Sequence, residues 1–235
     1  GYNGNESASG RATKPAAQAL LGRVYWTMAG FPLWDNSKKA PAIELLETVI
    51  DNANAGNKYW AKDGKEWKKI WISDNDNKYH IFEIQYAMQS GYGNPMIFSS
   101  LPKVSSSLSH VTMSGNKINS SKSLRNLYRE KRDTLGFSKI DDQIVDRNSF
   151  PINYPLIRLE DVMLMYADLA GPTDKGVEMV NKIRVRAGLK ELSASQKTTE
   201  AFKNCVLDER RRELAGEGIR WHDIVRSGNF TEYIK

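Results

Sequence analysis

Tyr154-Pro155-Leu156-Ile157-Arg158-Leu159-Glu160-Asp161-Val162-Met163-Leu164-Met165-Tyr166-Ala167-Asp168, then Val180-Asn181-Lys182-Ile183-Arg184-Val185-Arg186-Ala187-Gly188-Leu189, then Glu209-Arg210-Arg211-Arg212-Glu213-Leu214-Ala215-Gly216-Glu217-Gly218-Ile219-Arg220-Trp221-His222-Asp223-Ile224-Val225-Arg226 fill most of the stretch from Asn153 to Gly228. Each block repeats apolar residues at helical intervals and sets charges inside or beside that stripe. A first helix is expected from Leu156, with Leu159, Val162, Met163 and Tyr166 on one face and Asp168 and Gly171-Pro172 closing it. Thr173 or Asp174 starts its partner, with Val177, Val180, Ile183 and Val185 inward and Gly188 as a left-handed stop. A third helix is expected from about Thr199 to Ala215, and Gly216-Glu217-Gly218 turns the chain into a last one. Arg158, Arg184, Arg186, Arg210, Arg220, Glu209, Glu213 and Glu217 share faces with core residues, so they read as ion pairs tying helices together. Trp221 reads as a core plug at a helix crossing.

Upstream, Thr13-Lys14-Pro15 is a helix start, and Ala17, Leu20, Leu21, Val24, Tyr25 and Met28 recur at helical spacing up to Gly30 and Pro32. Leu21-Gly22 with Tyr25 reproduces the L-G-x-x-Y piece of a tetratricopeptide first helix, where a small residue admits the second helix. That second helix is expected from Pro41, burying Ile43, Leu46, Val49, Ile50 and Ala53, and ending at Asn54-Ala55-Gly56-Asn57. Residues 58–152 differ: Trp67, Ile70 and Trp71 fit a short helix and Ser73–Asn77 a turn. His80–Tyr86 alternates like a strand. Residues 87–150 are rich in Ser, Asn and Gly, with Leu124–Tyr128 as one helical piece. The fold class expected is all-α, mainly helical: tetratricopeptide-like hairpins with a loop-rich insertion and minor β.

The chain has 235 residues, enough to bury a full core, and 40% apolar content excludes disorder. Its net charge of +6 is spread among acids, with Arg210-Arg211-Arg212 flanked by Glu209 and Glu213, so no nucleic-acid partner is expected. Cys205 is the only cysteine, which excludes an intrachain disulfide, and its apolar neighbours read as a small buried position. No run is long and apolar enough to span a bilayer. Gly1–Gly10 reads as a flexible lead-in.

The chain resembles the SusD/RagB family, the nutrient- or glycan-binding lipoproteins of the Bacteroidetes outer membrane. The resemblance rests on Gly10-Arg11-Ala12-Thr13-Lys14 followed by Ala16-Ala17 and Leu20-Leu21, and on Glu83-Ile84-Gln85-Tyr86. It rests also on Pro155 to Asp168, Asn181 to Leu189 and Glu209 to Arg226. It implies a single SusD-like domain over 1–235, with a tetratricopeptide-like hairpin at 10–57, an aromatic and loop-rich insertion at 58–152, and C-terminal helices at 153–235. The family's lipidated N-terminal Cys and upstream helical hairpins are not in the chain, which is expected to be a C-terminal portion of a longer protein or a minimal member. The resemblance implies non-catalytic capture of oligosaccharide or polysaccharide at the cell surface, for a SusC-like TonB-dependent outer-membrane transporter.

Sugars are held by aromatic faces stacked on their C–H faces, with several rings needed because each contributes about 1 kcal/mol. Trp34, in the hairpin connection, Tyr92, between Gly91 and Gly93, and Tyr86, at the strand end, are the candidate ligand-binding residues. Trp60, Trp67 and Trp71 read as core. His80, His110 and His222 show no metal spacing. Asp74-Asn75-Asp76-Asn77 begins like a calcium loop but has Lys78 at the fifth position, and Asp141, Asp142 and Asp146 read as a turn, so no cofactor is expected and calcium is a weak alternative. Ser105-Ser106-Ser107 lacks a nucleophile elbow and no paired carboxylates are placed across a cleft, so no enzyme is expected. The alternative function is a tetratricopeptide-like protein–protein adaptor without sugar binding.

Overall fold

Pro15 lies in the first turn of helix α1 (Lys14–Met28), where its missing N–H leaves no bond unmade, and the Thr13 hydroxyl accepts from the Ala16 N–H at 3.3 Å. The computed structural model describes residues 10–71, 77–86, 92 and 153–230. Helix α2 (Lys39–Ala55) folds back on α1, and the two approach closest at Gly22, where an added Cβ would stand 2.8 Å from Leu46 Cδ2. The small residue expected from the L-G-x-x-Y pattern therefore does set the helix separation. On α2 the expected stripe is found: Leu46, Val49, Ile50 and Ala53 are buried, joined by Ala42, with Ile43 half-buried. On α1 the packed face is Ala16, Ala19, Gly22 and Trp26, while Ala17, Leu20, Leu21 and Val24 point outward. This helix is apolar on both sides, so periodicity marks two faces, and the side with the smaller residues takes the close contact. Gly22→Val is expected to cost about 1–3 kcal/mol by overpacking against Leu46. A urea midpoint unchanged from wild type would show that the hairpin can open there.

Trp67 and Trp71 lie on a short α3 (Gly64–Trp67) and a following 3-10 turn (Lys68–Trp71), as expected, with their rings edge to face at 5.8 Å. They pack on a small satellite cluster of Ala61, Ile70 and Tyr79. Strand β1 (His80–Ile84) occupies the alternating segment read as a strand. Its partner corrects the sequence reading: residues 154–158, where helix was expected from Leu156, are strand β2 (Tyr154–Arg158), antiparallel to β1 with Ile84 opposite Tyr154 and His80 opposite Arg158. Pro155 pushes Tyr154 out of helical backbone, and burial alternates over Tyr154, Pro155, Leu156 and Ile157 with period two.

Helix α4 (Leu159–Ala170) starts directly from β2, and every residue from Leu159 to Ala167 is buried. It is the central element, touching α1, α2, helix α5 (Asp174–Arg186) and helix α6 (Thr199–Glu213). Leu159, Val162, Met163 and Tyr166 all face the core as expected, with the opposite face buried too. Thr173 caps α5, accepting from Gly176 N–H at 3.2 Å, and Gly188 stops the chain beyond it at φ 78°. Met179, Val180 and Ile183 are buried and Val177 is half-buried, whereas Val185 is 54% exposed, because two residues beyond Ile183 a helix has turned to its far side. Helix α7 (Arg220–Ser227) follows the Gly216-Glu217-Gly218 turn and ends on Gly228 at φ 75°. One apolar cluster runs through α1, α2, α4, α5 and α6.

Candidate functional site

The charged residues of the three C-terminal blocks lie inside this frame. Arg158 meets Glu160 at 2.8 Å, Glu213 at 3.2 Å and Glu217 at 2.7 Å, and Arg186 meets Glu160 and Glu213. Arg210 bridges Asp161 at 2.8 Å and Asp223 at 3.0 Å, and Arg23 of α1 reaches both Asp161 and the Leu156 carbonyl. Arg184 and Arg212 share Glu209 at 3.4 and 3.3 Å. Arg220, half-buried, acts on Asp223 through its charge. The whole set expected as structural ion pairs sits in such pairs or beside them.

In the first group three carboxylates face two guanidiniums. Burial, with the like charges of Glu213 and Glu160, pushes the Glu217 carboxyl up against the pull of Arg158. Burial likewise raises Asp223, against Arg210. Burial would raise Asp161 too, but Arg210 and Arg23 outweigh it and hold that carboxyl low. Folded Glu217 and Asp223 take up protons before their unfolded forms, so their contribution to stability rises as pH falls from neutrality toward the ordinary carboxylate range. The contribution of Asp161 is present above its unfolded value of about 3.9 and is lost as pH falls through the lower folded one. Denaturant titrations at about pH 7, 5 and 3 are expected to show Glu217→Gln flattening the upper limb only. An upper limb identical to wild type would refute the assignment to Glu217.

The surface feature built on this frame is the turn between α1 and α2. Phe31 N–H donates to the Arg226 carbonyl at 2.9 Å, Trp34 N–H to Gly30 at 2.7 Å, and Asp35 N–H to Met28 at 3.0 Å. Gly30 has no room for a side chain: a Cβ would lie 2.3 Å from Arg226 Cγ and 2.9 Å from its carbonyl oxygen. Trp34 takes a left-handed backbone, φ 50°, a conformation that costs a non-glycine residue about 1–3 kcal/mol unless its surroundings hold it. The three hydrogen bonds do that. Its ring stands edge to face with Phe31 at 6.4 Å and rests on Gly228, and Phe31 in turn meets Phe230 at 5.0 Å. The indole is still 50% exposed. The turn thus presents one aromatic face on a braced backbone, with Leu33 exposed beside it.

Tyr86, another of the candidates, lies apart from it. Tyr86 is half-buried, and its N–H donates to Asn153 Oδ1 at 2.8 Å. Its neighbour Gln85 lies against Gly10, just ahead of α1, whereas Trp34 follows the other end of that 15-residue helix, which rises about 22 Å. No single sugar ring spans both. Tyr92 is 65% exposed. Trp221, expected as a core plug, is 57% exposed on α7; Asp223 and Ser227 are that helix's buried residues. An exposed tryptophan in a helix carries the same sequence pattern as a buried one, so only the packing finds it. Trp60 is half-buried under Arg186 and Lys182, with cations 4.8 and 5.5 Å from its ring. His80 is buried between the Glu83 carboxylate and the Ile70 carbonyl, and His222 is exposed. Cys205 is half-buried rather than buried, and burial pushes its thiol up, away from nucleophile chemistry. Among the described residues no group of three His, Cys, Asp or Glu is placed to hold a metal ion, and no helix is long and apolar enough to cross a membrane. His110, Leu124–Tyr128, Ser105–Ser107 and the acidic residues at 74, 76, 141, 142 and 146 fall outside the described residues.

Helices paired in hairpins around one helix buried from Leu159 to Ala167, with a two-stranded ribbon at their side, make this a helical scaffold of the tetratricopeptide-like kind. The chain belongs to the SusD family, which it matches over residues 23–235. The SusD-like protein P25 of Formosa agariphila is 34% identical over 89 residues, 35% of this chain and 17% of that protein. Among solved structures, a SusD superfamily protein from Parabacteroides distasonis superposes with a TM-score of 0.75 at 24% identity, covering 93% of this chain and 53% of that one. A laminarin-binding SusD-like protein gives 0.66 at 20% identity, over 96% of this chain and 57% of its own. A structure with a xylogluco-oligosaccharide gives 0.72 at 19%, over 94% and 52%. At these identities the structures show the fold. The chain spans about half the length of the solved structures it matches.

Proposed function

We propose that this chain is the C-terminal portion of a non-catalytic glycan-binding protein of the bacterial outer-membrane surface, a lipoprotein that hands oligosaccharide to a SusC-like TonB-dependent transporter. The observation that carries the reading is the Trp34 turn: a half-exposed indole fixed by backbone bonds to two helices, on a fold shared with a laminarin-binding SusD-like protein and with a structure holding a xylogluco-oligosaccharide. A fixed ring loses little entropy when a sugar stacks on it. Tyr92 and Tyr86 add weaker, separated contacts, which suits a polymer held reversibly at several points. Binding without bond cleavage is supported by the interior carboxylates Glu160, Asp161, Glu209, Glu213, Glu217 and Asp223, each committed to an arginine.

Titration of the folded chain with laminarin and xyloglucan oligosaccharides, followed by calorimetry and tryptophan fluorescence, tests this. Trp34→Ala is expected to weaken binding about fivefold, the equivalent of one stacked ring. Unchanged affinity removes Trp34 from the site. Silence of the wild-type chain across plant, host and microbial glycans, or release of shortened sugar products, overturns the reading as a whole.

A further inference from the structure

We propose that Trp221 is a second sugar platform, set in line with Trp34 along the outer ridge of α7, so that the two rings hold separate units of one extended oligosaccharide. The proposal rests on the glycan reading of the Trp34 turn. Asp223 and Ser227 take the inward face of α7. Trp221, Val225 and Gly228, at i, i+4 and i+7, therefore share a ridge on the far side. Gly228 is the residue on which the Trp34 indole rests: a Cβ there would stand 3.2 Å from Trp34 Cζ2. The ring of Trp34 thus ends the ridge that the ring of Trp221 begins. Both are open to solvent, Trp221 at 57% and Trp34 at 50%.

Spacing and neighbours select the ligand. Seven helical steps put the backbone at Trp221 about 10 Å from that at Gly228, beyond one sugar ring and within reach of a short oligosaccharide. Val225, half-buried, is the low floor between the two rings. His222 beside Trp221 and Asn229 beside Gly228 are exposed, an imidazole and an amide that can exchange hydrogen bonds with hydroxyls. The one acid of the helix, Asp223, is turned inward onto Arg210 at 3.0 Å, so no carboxylate stands on the strip to attack a bound sugar. A protein partner wants a continuous apolar core, and here the two rings are parted by a residue already half-buried. Separate flat rings with hydrogen-bonding groups beside them suit a glycan chain, whose units each offer a C–H face and a rim of hydroxyls.

Affinity against ligand length tests it. The complete polypeptide encoded by the same gene is titrated with short and long laminarin and xyloglucan oligosaccharides by calorimetry. Trp221→Ala is expected to weaken the long ligands about fivefold and to leave the short ones, which fit on Trp34 alone, unchanged. Trp221→Phe, which keeps a ring, is expected to restore most of the loss. Combined with Trp34→Ala, the loss on long ligands is expected to reach about 25-fold, the product of two separate platforms. A long-ligand affinity that Trp221→Ala leaves unchanged overturns the second platform; if Trp34→Ala still weakens it, the glycan reading stands. Equal losses on short and long ligands overturn it too, since Trp221 would then act through the fold. A wild type that binds neither series overturns the strip, while the wider glycan panel decides the general reading. So does an indole at 221 that iodide cannot reach, read as the quenching lost in Trp221→Phe, because a further segment or a partner would then cover it.

Discussion

Arg158→Met is expected to destabilise the chain by about 3–5 kcal/mol, a large share of the 5–15 kcal/mol that holds an ordinary domain folded. The guanidinium is 1% exposed and touches Glu160, Glu213 and Glu217, and it donates to the Glu213 carbonyl at 3.1 Å. Burial alone would lower its proton affinity, but the three carboxylates hold it well above the ordinary arginine value. Removing it takes a guanidinium from all three carboxylates in an interior that cannot hydrate them, while Arg186 still meets only Glu160 and Glu213 among the three. Guanidinium unfolding, read by circular dichroism, measures the loss. A second substitution, Glu217→Gln, is expected to return part of it by removing the surplus charge. A loss under about 1 kcal/mol for Arg158→Met would mean that the lattice decorates the fold and does not hold it.

The other large effect is expected at Trp26. The indole N–H donates to Asp168 at 2.8 Å, the Arg226 and Arg210 guanidiniums lie 4.0 and 4.8 Å from its ring, and its carbonyl accepts from Arg226 at 2.8 Å. One residue thereby joins the first hairpin to α4, α6 and α7. Trp26→Ala is expected to cost about 3–5 kcal/mol, the usual loss for an emptied aromatic core site, with stranded guanidiniums adding to it. Because Arg226 also carries the carbonyl that fixes Phe31, the variant should release the Trp34 turn, seen as faster quenching of Trp34 fluorescence by iodide. Unaltered quenching in a still-folded variant would show that the turn stands without this brace.

Much of this was legible in the residues, and the gaps have physical causes. Helix starts and stops were readable because Thr13, Thr173 and Gly188 carry their own backbone chemistry, and all three sit where such residues are needed. The exposure of Trp34 was readable because it falls between Gly30-Pro32 and Asp35, in a turn too short to bury it. The inward face of α1 was not readable: Leu20 and Leu21 make a better apolar stripe than Ala16, Ala19 and Gly22, yet close packing favoured the smaller set and brought Trp26 in with it. Strand β2 was missed because its partner lies 70 positions upstream in register with it, and local pattern carries no trace of so distant a pairing. Trp221 was misjudged for a related reason. Its helix is short, and which flank is covered depends on Arg210 and Arg226, residues that reach it from elsewhere or point away from it.

The ribbon of β1 and β2 has an implication for how such chains diversify. Tyr86 and Asn153 are tied by a 2.8 Å bond, and Asn153 also donates to Glu83 at 3.1 Å, so the exit and re-entry of residues 87–152 are stapled together on the scaffold side. Once two ends are so clamped, doubling the length of a loop between them costs only about 0.6 kcal/mol in closure entropy. Segments of different length can therefore be accommodated between these two residues while the helices beneath keep their register, which makes this doorway a natural point for variation in length.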